Sequence, residues 1–389
     1  MRINSLKLER IGQIKQADVT FGDLTVFVGP QATGKSIFLQ FLKLLADTGY
    51  VHDQLRKHGI DWNRSLPRFL NVYFGEGMEG IWRTGDSSSM ITVDGRHKDA
   101  NELAQPRRRS KTRTVFYIPA QRVLSLANGW PRPFTSFASE DPFAVRDFSE
   151  TFRILMEQEL GRSEALFPKT NRLKQAYRDL LSEHVFCGFG LKVDHLGAQK
   201  RLVLQHDDTK SKSIPYMAWS AGQREFVPLL MGLYWLMPPS KVKRRENIEW
   251  VVIEELEMGL HPNAISVVLL LVLELLWRGY RVCLSTHSPH VLEMVWALQG
   301  MRQYHADPGD LLDLFEAPKS DPMKRVAETA LKKEARVYYF DPEGVVKDIS
   351  GLDPGSETSL EADWGGLIGF SKRVNEIVAR AVNASLSWG

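Results

Sequence analysis

The sequence predicts an α/β protein with a mainly parallel core sheet, an antiparallel β subdomain and an inserted helical lobe. Three observations carry this expectation. Short apolar runs of strand length alternate with segments of helical period, the pattern of strands joined by helices across a parallel sheet. A strand, a glycine-punctuated loop and a helix follow one another directly between Leu24 and Leu45. Far downstream, a second apolar strand ends in paired acids at Glu254 and Glu255.

Each element follows from local pattern. Ile3 to Leu8, Ala17 to Phe21 and Leu24 to Val28 read as strands, with a turn at Gly22-Asp23. Gly29 to Ser36 is loop, and Ile37 to Leu45 takes up helical period. Leu70 to Val93 reads as short strands and turns, followed by a turn at Asp94-Gly95. Strand Val115 to Ile118 ends at Pro119-Ala120-Gln121-Arg122. Phe143 to Met156 and Asn171 to Leu181 are periodic as helices, and Leu191 to Gln205 alternates like a hairpin. After Trp219 the text is helical through Met237. Trp250 to Ile253 and Arg281 to Leu284 are buried strands around a helix, Ala264 to Trp277. Val337 to Phe340 and Val345 to Ile349 flank a hairpin turn at Glu343-Gly344, and an amphipathic helix closes the chain at Ser371 to Val382. In domain terms, residues 1–125 form the first segment of a composite lobe, 126–219 an inserted, mostly helical lobe, and 220–389 the second segment.

Composition narrows the function classes. Of 389 residues, 43% are hydrophobic and 25% charged, which excludes whole-chain disorder. Fifty basic against 47 acidic residues leave +3, which excludes a polycation and confines nucleic-acid contact to local patches. Two such patches exist: Arg107, Arg108, Arg109, Lys111 and Arg113, and Lys241 to Arg245. Either is equally a solvated loop. Two cysteines cannot build a disulfide framework or a four-thiolate zinc site. The N-terminus has no signal-like apolar core, and Ala264 to Trp277 is too short to span a bilayer. A cytoplasmic, membrane-free protein is expected.

The loop Gly29-Pro30-Gln31-Ala32-Thr33-Gly34-Lys35-Ser36 fits the Walker A pattern, with Ile37 opening the helix behind it. Glycines let backbone N–H groups turn around phosphate oxygens, and the helix offers its positive end to the same anions. Lys35 suits the β and γ phosphates and Ser36 a magnesium ion. Val251-Val252-Ile253-Glu254-Glu255 delivers two carboxylates to the same sheet edge. Glu254 suits the metal shell, and Glu255 can orient and deprotonate the attacking water. His287 ends the neighbouring strand, within reach of that water. Gln121 offers a further metal or water contact. Ser220-Ala221-Gly222-Gln223 opens a helix, either as a plain N-cap or as a second phosphate grip. Gly75-Glu76-Gly77-Met78-Glu79-Gly80 fits a dinucleotide fingerprint, but its glutamates would repel a pyrophosphate, and a turn between strands is expected there.

Taken in order, these motifs resemble the ABC class of P-loop ATPases, and within it the RecF, SMC and OLD group. Leu6-Lys7-Leu8-Glu9-Arg10-Ile11-Gly12-Gln13-Ile14 is similar to that group's first strand. Glu254-Glu255-Leu256-Glu257-Met258-Gly259-Leu260-His261-Pro262 and Thr286-His287-Ser288-Pro289 resemble its Walker B extension and switch segment. The resemblance implies ATP and Mg2+ as cofactors, a Q-loop at Gln121, and Ser220, Gly222 and Gln223 acting in trans on a neighbour's nucleotide. It implies a homodimer or higher oligomer with ATP between subunits. Leu256 replaces the group's usual proline, Gly12 stands where relatives carry an arginine, and Gln31 replaces an asparagine. There are no heptads of an SMC coiled coil and no TOPRIM-like acid pattern after His287. A near-bare ATPase is therefore expected to switch a separately encoded effector, as in bacterial anti-phage defence. The alternative is a RecF-like DNA clamp in repair or replication.

Overall fold

Leu24–Val28 (β1), Val115–Ile118 (β2), Trp250–Glu254 (β3) and Arg281–Ser285 (β4) are buried at every position. Strands buried at every position need cover on both faces, the situation of strands paired in a parallel sheet. The computed structural model, which describes residues 3–105, 110, 112–160, 165–197, 199–206, 213–238 and 243–386, shows this pairing. With Ala335–Phe340 (β5) and Val346–Asp348 (β6) they form one sheet in the order β6-β5-β1-β4-β3-β2. All neighbours are parallel except β5 and β6. The C-terminal hairpin expected from sequence is thus present, but its first strand is also a full member of the central sheet beside β1.

The strands alternate their side chains between two cores. Phe27, Tyr117, Trp250, Val252 and Cys283 face one core, where Lys35–Lys57 (α1) packs Phe38, Leu39, Phe41 and Leu42. An antiparallel meander joins the same core: Ser5–Ile11 pairs with Ile14–Thr20 and with Met90–Val93. Val26, Val28, Ile118, Val251 and Ile253 face the other core. Phe143–Ile154 (α2), Ala221–Leu236 (α3), Pro262–Trp277 (α4) and Pro289–Gln303 cover that side.

Two expectations change. Leu66–Phe74 is a helix, not strand: Leu66, Phe69, Leu70, Tyr73 and Phe74 are its buried face, spaced at helical period. The glycine run after it closes that helix at Gly75, whose φ of 110° and close approach to the Glu140 carbonyl exclude a side chain. The segment 126–219 is also less helical than expected. Beside α2 and the helix Gln175–Leu181, the expected hairpin, Phe189–Leu196 with Gln199–His206, is widened by Ala165–Phe167 and Ile214–Pro215 into a four-stranded antiparallel sheet. At the chain's end, Gly369–Leu386 carries Phe370, Val374, Ile377 and Val378 exposed to solvent. Among the described residues, no helix is long and apolar enough to cross a membrane.

Candidate functional site

The parallel register sends the loops after β1, β4, β3 and β2, four adjacent strands, to one edge of the sheet. The phosphate loop follows β1. Gly29 has φ 135°, and a Cβ there would strike the Phe340 carbonyl oxygen on β5. Gly34, at φ 96°, starts α1 and sits against Ile14. No side chain caps α1, so its first N–H groups remain open to an anion. Within the loop, the Thr33 hydroxyl donates to the Pro30 carbonyl at 2.9 Å. Lys35 Nζ donates to the Gly29 and Pro30 carbonyls at 2.8 and 2.6 Å. Burial lowers the Lys35 pKa, while Glu255, Glu254 and Glu257 work to keep it charged. Phosphate oxygens arriving over the loop would compete for donors that now serve neutral carbonyls.

Glu254 ends β3 fully buried. Its Oε2 accepts from the Ala120 N–H at 3.3 Å, whereas Oε1 has no hydrogen-bond partner. Burial raises its pKa, against the pull of the Ser36 hydroxyl, the Ala120 N–H and the Tyr117 hydroxyl. The Tyr117 hydroxyl is buried beside Glu254 but forms no hydrogen bond of ordinary geometry. An unsatisfied carboxylate oxygen beside the Ser36 hydroxyl is a donor set that suits a hard divalent cation. The residues therefore fit Mg2+.

The next residue, Glu255, bends out of the strand in the left-handed region, φ 44°. Its N–H donates to the Ser285 carbonyl at 2.9 Å, and its side chain is about a third exposed. His287 Nε2 stands 3.8 Å from Glu255 Oε1. Glu257 fixes the histidine's backbone, accepting from the His287 N–H at 2.6 Å and the Thr286 hydroxyl at 2.9 Å. Lys35, Ser36, Glu254, Glu255 and His287 thus lie at one edge, with Gln121 exposed after β2 beside the Ala120 contact.

Ser220 caps α3 with a reciprocal box: Ser220 Oγ accepts from the Gln223 N–H, and Gln223 Oε1 accepts from the Ser220 N–H. Ser220 and Ala221 are exposed. Gly222 has a packing reason to be glycine, since a Cβ would lie 2.5 Å from the Gly259 carbonyl oxygen. Among the described residues, no hydrogen bond joins this helix start to the chain's own phosphate loop.

Sequence reasoning missed Arg122. It is fully buried, and its guanidinium donates to the carbonyls of Glu225, Glu254 and Glu255. Its only sequence signal is adjacency to Gln121. Sequence reasoning misassigned Arg113. Grouped with the nucleic-acid contacts, it is instead buried, with Nη1 bonded to Asp147 at 3.2 Å and the Thr151 hydroxyl at 2.9 Å. Its guanidinium also lies over the Trp235 ring. A guanidinium so enclosed cannot meet a phosphate. Arg107, Arg108, Arg109 and Lys111 lie outside the described residues.

Residues 88–293, more than half of the chain, match the family described as "AAA domain, putative AbiEii toxin, Type IV TA system". No curated protein matches the sequence. Solved structures similar to the chain include the dimeric form of MJ0796, a bacterial ABC transporter cassette, at 10% identity and TM-score 0.34, covering 88% of this chain and 96% of that one. An SMC head bound to the C-terminal winged-helix domain of ScpA is similar at 10% identity and TM-score 0.38, covering 90% and 97%. The SMC head domain from Thermotoga maritima is similar at 13% identity and TM-score 0.29, covering 75% and 92%.

Proposed function

The chain belongs to this AAA-domain family and is an ATPase of the ABC/AAA type, and we propose that it is a nucleotide-driven switch whose subunits close head to tail around ATP. The single observation that supports the catalytic reading is the edge itself: the phosphate loop, His287, Glu254-Glu255 and Gln121 follow four adjacent parallel strands. Backbone N–H groups of Gln31 to Ser36 and Lys35 Nζ bind and orient the phosphates. Ser36 and Glu254, with Gln121 nearby, would hold Mg2+, which supplies charge neutralisation on the phosphate oxygens. Glu255 takes a proton from the attacking water through its carboxylate. His287 Nε2, 3.8 Å away, is placed to orient that water or to steady the charge that builds on the γ-phosphate.

The trans arrangement draws on the exposed start of α3, whose Ser220 hydroxyl keeps its proton free to donate while its oxygen caps the helix. Complementation tests it. Lys35→Ala removes a subunit's phosphate grip and Ser220→Arg removes its service to the neighbour. Each alone should be inactive, and mixing the two should restore turnover at the one composite site left intact. Mixtures as dead as either parent, together with no ATP-driven dimer in Glu255→Gln, would refute the arrangement.

The partner reading, a separately encoded effector in an anti-phage module, draws on the toxin and TA-system wording of the family description. The exposed Phe370, Val374, Ile377 and Val378 on the last helix add to it. Removing residues 369–389 should leave ATP turnover intact and abolish co-purification with the product of the adjacent gene. The DNA-clamp alternative loses Arg113. Duplex binding that weakens steeply with salt and falls when Arg107, Arg108 and Arg109 become alanine would revive it.

A further inference from the structure

We infer that Arg122 is a positioning residue for hydrolysis, holding the Glu254–Glu255 backbone in its bent conformation and tying it to the helix that begins at Ser220. This rests on the reading of Glu255 as base and Ser220 as the trans contact.

The geometry is specific. Nη1 donates to the Glu254 carbonyl at 2.9 Å and Nη2 to the Glu255 carbonyl at 3.0 Å. Nε donates to the Glu225 carbonyl at 3.1 Å, and Nη1 also reaches the Pro119 carbonyl at 3.5 Å. Three chain segments therefore meet on one planar fork: the loop after β2, the end of β3, and α3. The grip falls where the sheet stops helping. Glu254 is the last residue of β3 in register with β4, opposite Ser285. Glu255 then turns to φ 44°, a conformation that costs a glutamate free energy and must be held by its surroundings. The Arg122 guanidinium takes the carbonyls that leave the ladder there.

The link to α3 has two parts, the Nε bond to the Glu225 carbonyl and a contact with its side chain. Glu225 Oε2 lies 3.6 Å from Arg122 Nε and has no hydrogen bond, so the side-chain contact is ionic and loose. Glu225 follows Ser220 by little more than one helical turn, and a helix moves as a unit. A neighbour's phosphate drawing on Ser220 shifts Glu225, and through Arg122 the shift reaches the Glu255 carbonyl. Lysine could not substitute: a three-donor point charge does not span carbonyls on three segments as a five-donor fork does.

The test uses the full chain with Arg122→Lys and Glu225→Gln, measuring affinity for a fluorescent ATP analogue and kcat and KM for ATP. The expected result is analogue affinity within about threefold of wild type and kcat lower by about tenfold or more. Glu225→Gln leaves the carbonyl bonds in place and removes only the ionic contact, so it reads the coupling to α3 by itself should Arg122→Lys fail to fold. Combined with Ser220→Ala, Glu225→Gln should lower kcat by less than the product of the single effects, because both act on one connection. Unchanged kcat in both variants, loss of affinity equal to the loss of kcat, or multiplicative effects would overturn the role. Glu255→Gln run alongside separates the premises. Full turnover there removes the base assignment itself, whereas loss there with normal Arg122→Lys removes only the positioning.

Discussion

Replacing Glu254 with glutamine should stabilise the nucleotide-free protein while abolishing metal-dependent turnover. The carboxylate is fully buried, and Oε1 has no hydrogen bond. Leaving a buried polar acceptor unmade costs about 1–3 kcal/mol, and more when it is charged. Glutamine has the same shape. Its Oε1 can keep the Ala120 N–H, and its Nε2 can donate to the Tyr117 hydroxyl, which faces Glu254 without a well-formed hydrogen bond. The substitution thus improves the hydrogen bonding of both atoms and removes the cost of ionising a buried carboxyl. At about 2.1 cal/mol/K of unfolding entropy per residue, a gain of about 1–3 kcal/mol in a chain this long raises the melting temperature by roughly 1–4 °C. The sign depends on pH. Burial raises the folded pKa of Glu254 above its usual value of 4.5, so the wild-type carboxyl favours the fold when protonated. Below pH 4.5 the two proteins should melt alike. As pH rises through the folded pKa the wild type loses stability, and the difference opens to its full size. Thermal melts from pH 4 to 8 without nucleotide, paired with turnover in Mg2+ and ATP, give both readouts. A lower melting temperature for Glu254→Gln at neutral pH, or wild-type turnover, would refute the reasoning that this oxygen is held in reserve for a cation.

Three further outcomes follow from the same edge. Lys35→Ala should weaken ATP binding about ten- to a hundredfold, the value of one charge-assisted contact of about 1.5–3 kcal/mol, as read by titration with a fluorescent analogue. Glu255→Gln should bind ATP normally and lower kcat by about 10²–10⁴, with dimer accumulating in ATP when followed by sedimentation. Gly222→Ala should destabilise the fold by about 1–3 kcal/mol in chemical denaturation, because its Cβ would meet the Gly259 carbonyl at 2.5 Å. A Gly222→Ala protein of native stability but no turnover would instead assign Gly222 to the nucleotide alone.

The legible part of the sequence was the part where chemistry and geometry share a pattern. A phosphate loop needs a strand before it and a helix after it, and Leu24–Val28 and Lys35–Lys57 supply both. Buried parallel strands read as near-continuous apolar runs, so Trp250–Glu254 and Arg281–Ser285 stood out despite their polar ends. Where two periods overlap, the text misled. Leu70 to Phe74 is rich in residues that suit strands, and only the placement of Leu66, Phe69 and Tyr73 on one face shows the helix. In segment 126–219 the hairpin of Phe189–Leu196 and Gln199–His206 was legible as alternation, but its flanking strands Ala165–Phe167 and Ile214–Pro215 were not, being only two or three residues long and held by pairing to that hairpin.

Charge was the least legible feature, because a residue's partners do not appear in its neighbourhood of the sequence. Arg113 closes a run of basic residues and reads as surface, yet it is held by Asp147 and Thr151 from α2. Lys43, on the apolar side of α1, is fully buried against Asp47 at 2.7 Å and the Val115 carbonyl at 2.8 Å. Asp47 in turn accepts from the backbone N–H groups of Thr114 and Val115. These groups fasten α1 and α2 to the start of β2, the end of the strand opposite Gln121. Arg122 does the corresponding work at the other end. The strand that leads to Gln121 is therefore pinned by a buried cation at each end. Its catalytic edge differs in one respect: there the cation grips the carbonyls of a bent backbone together with a carbonyl and one loose carboxylate of Glu225, which couples that end to α3.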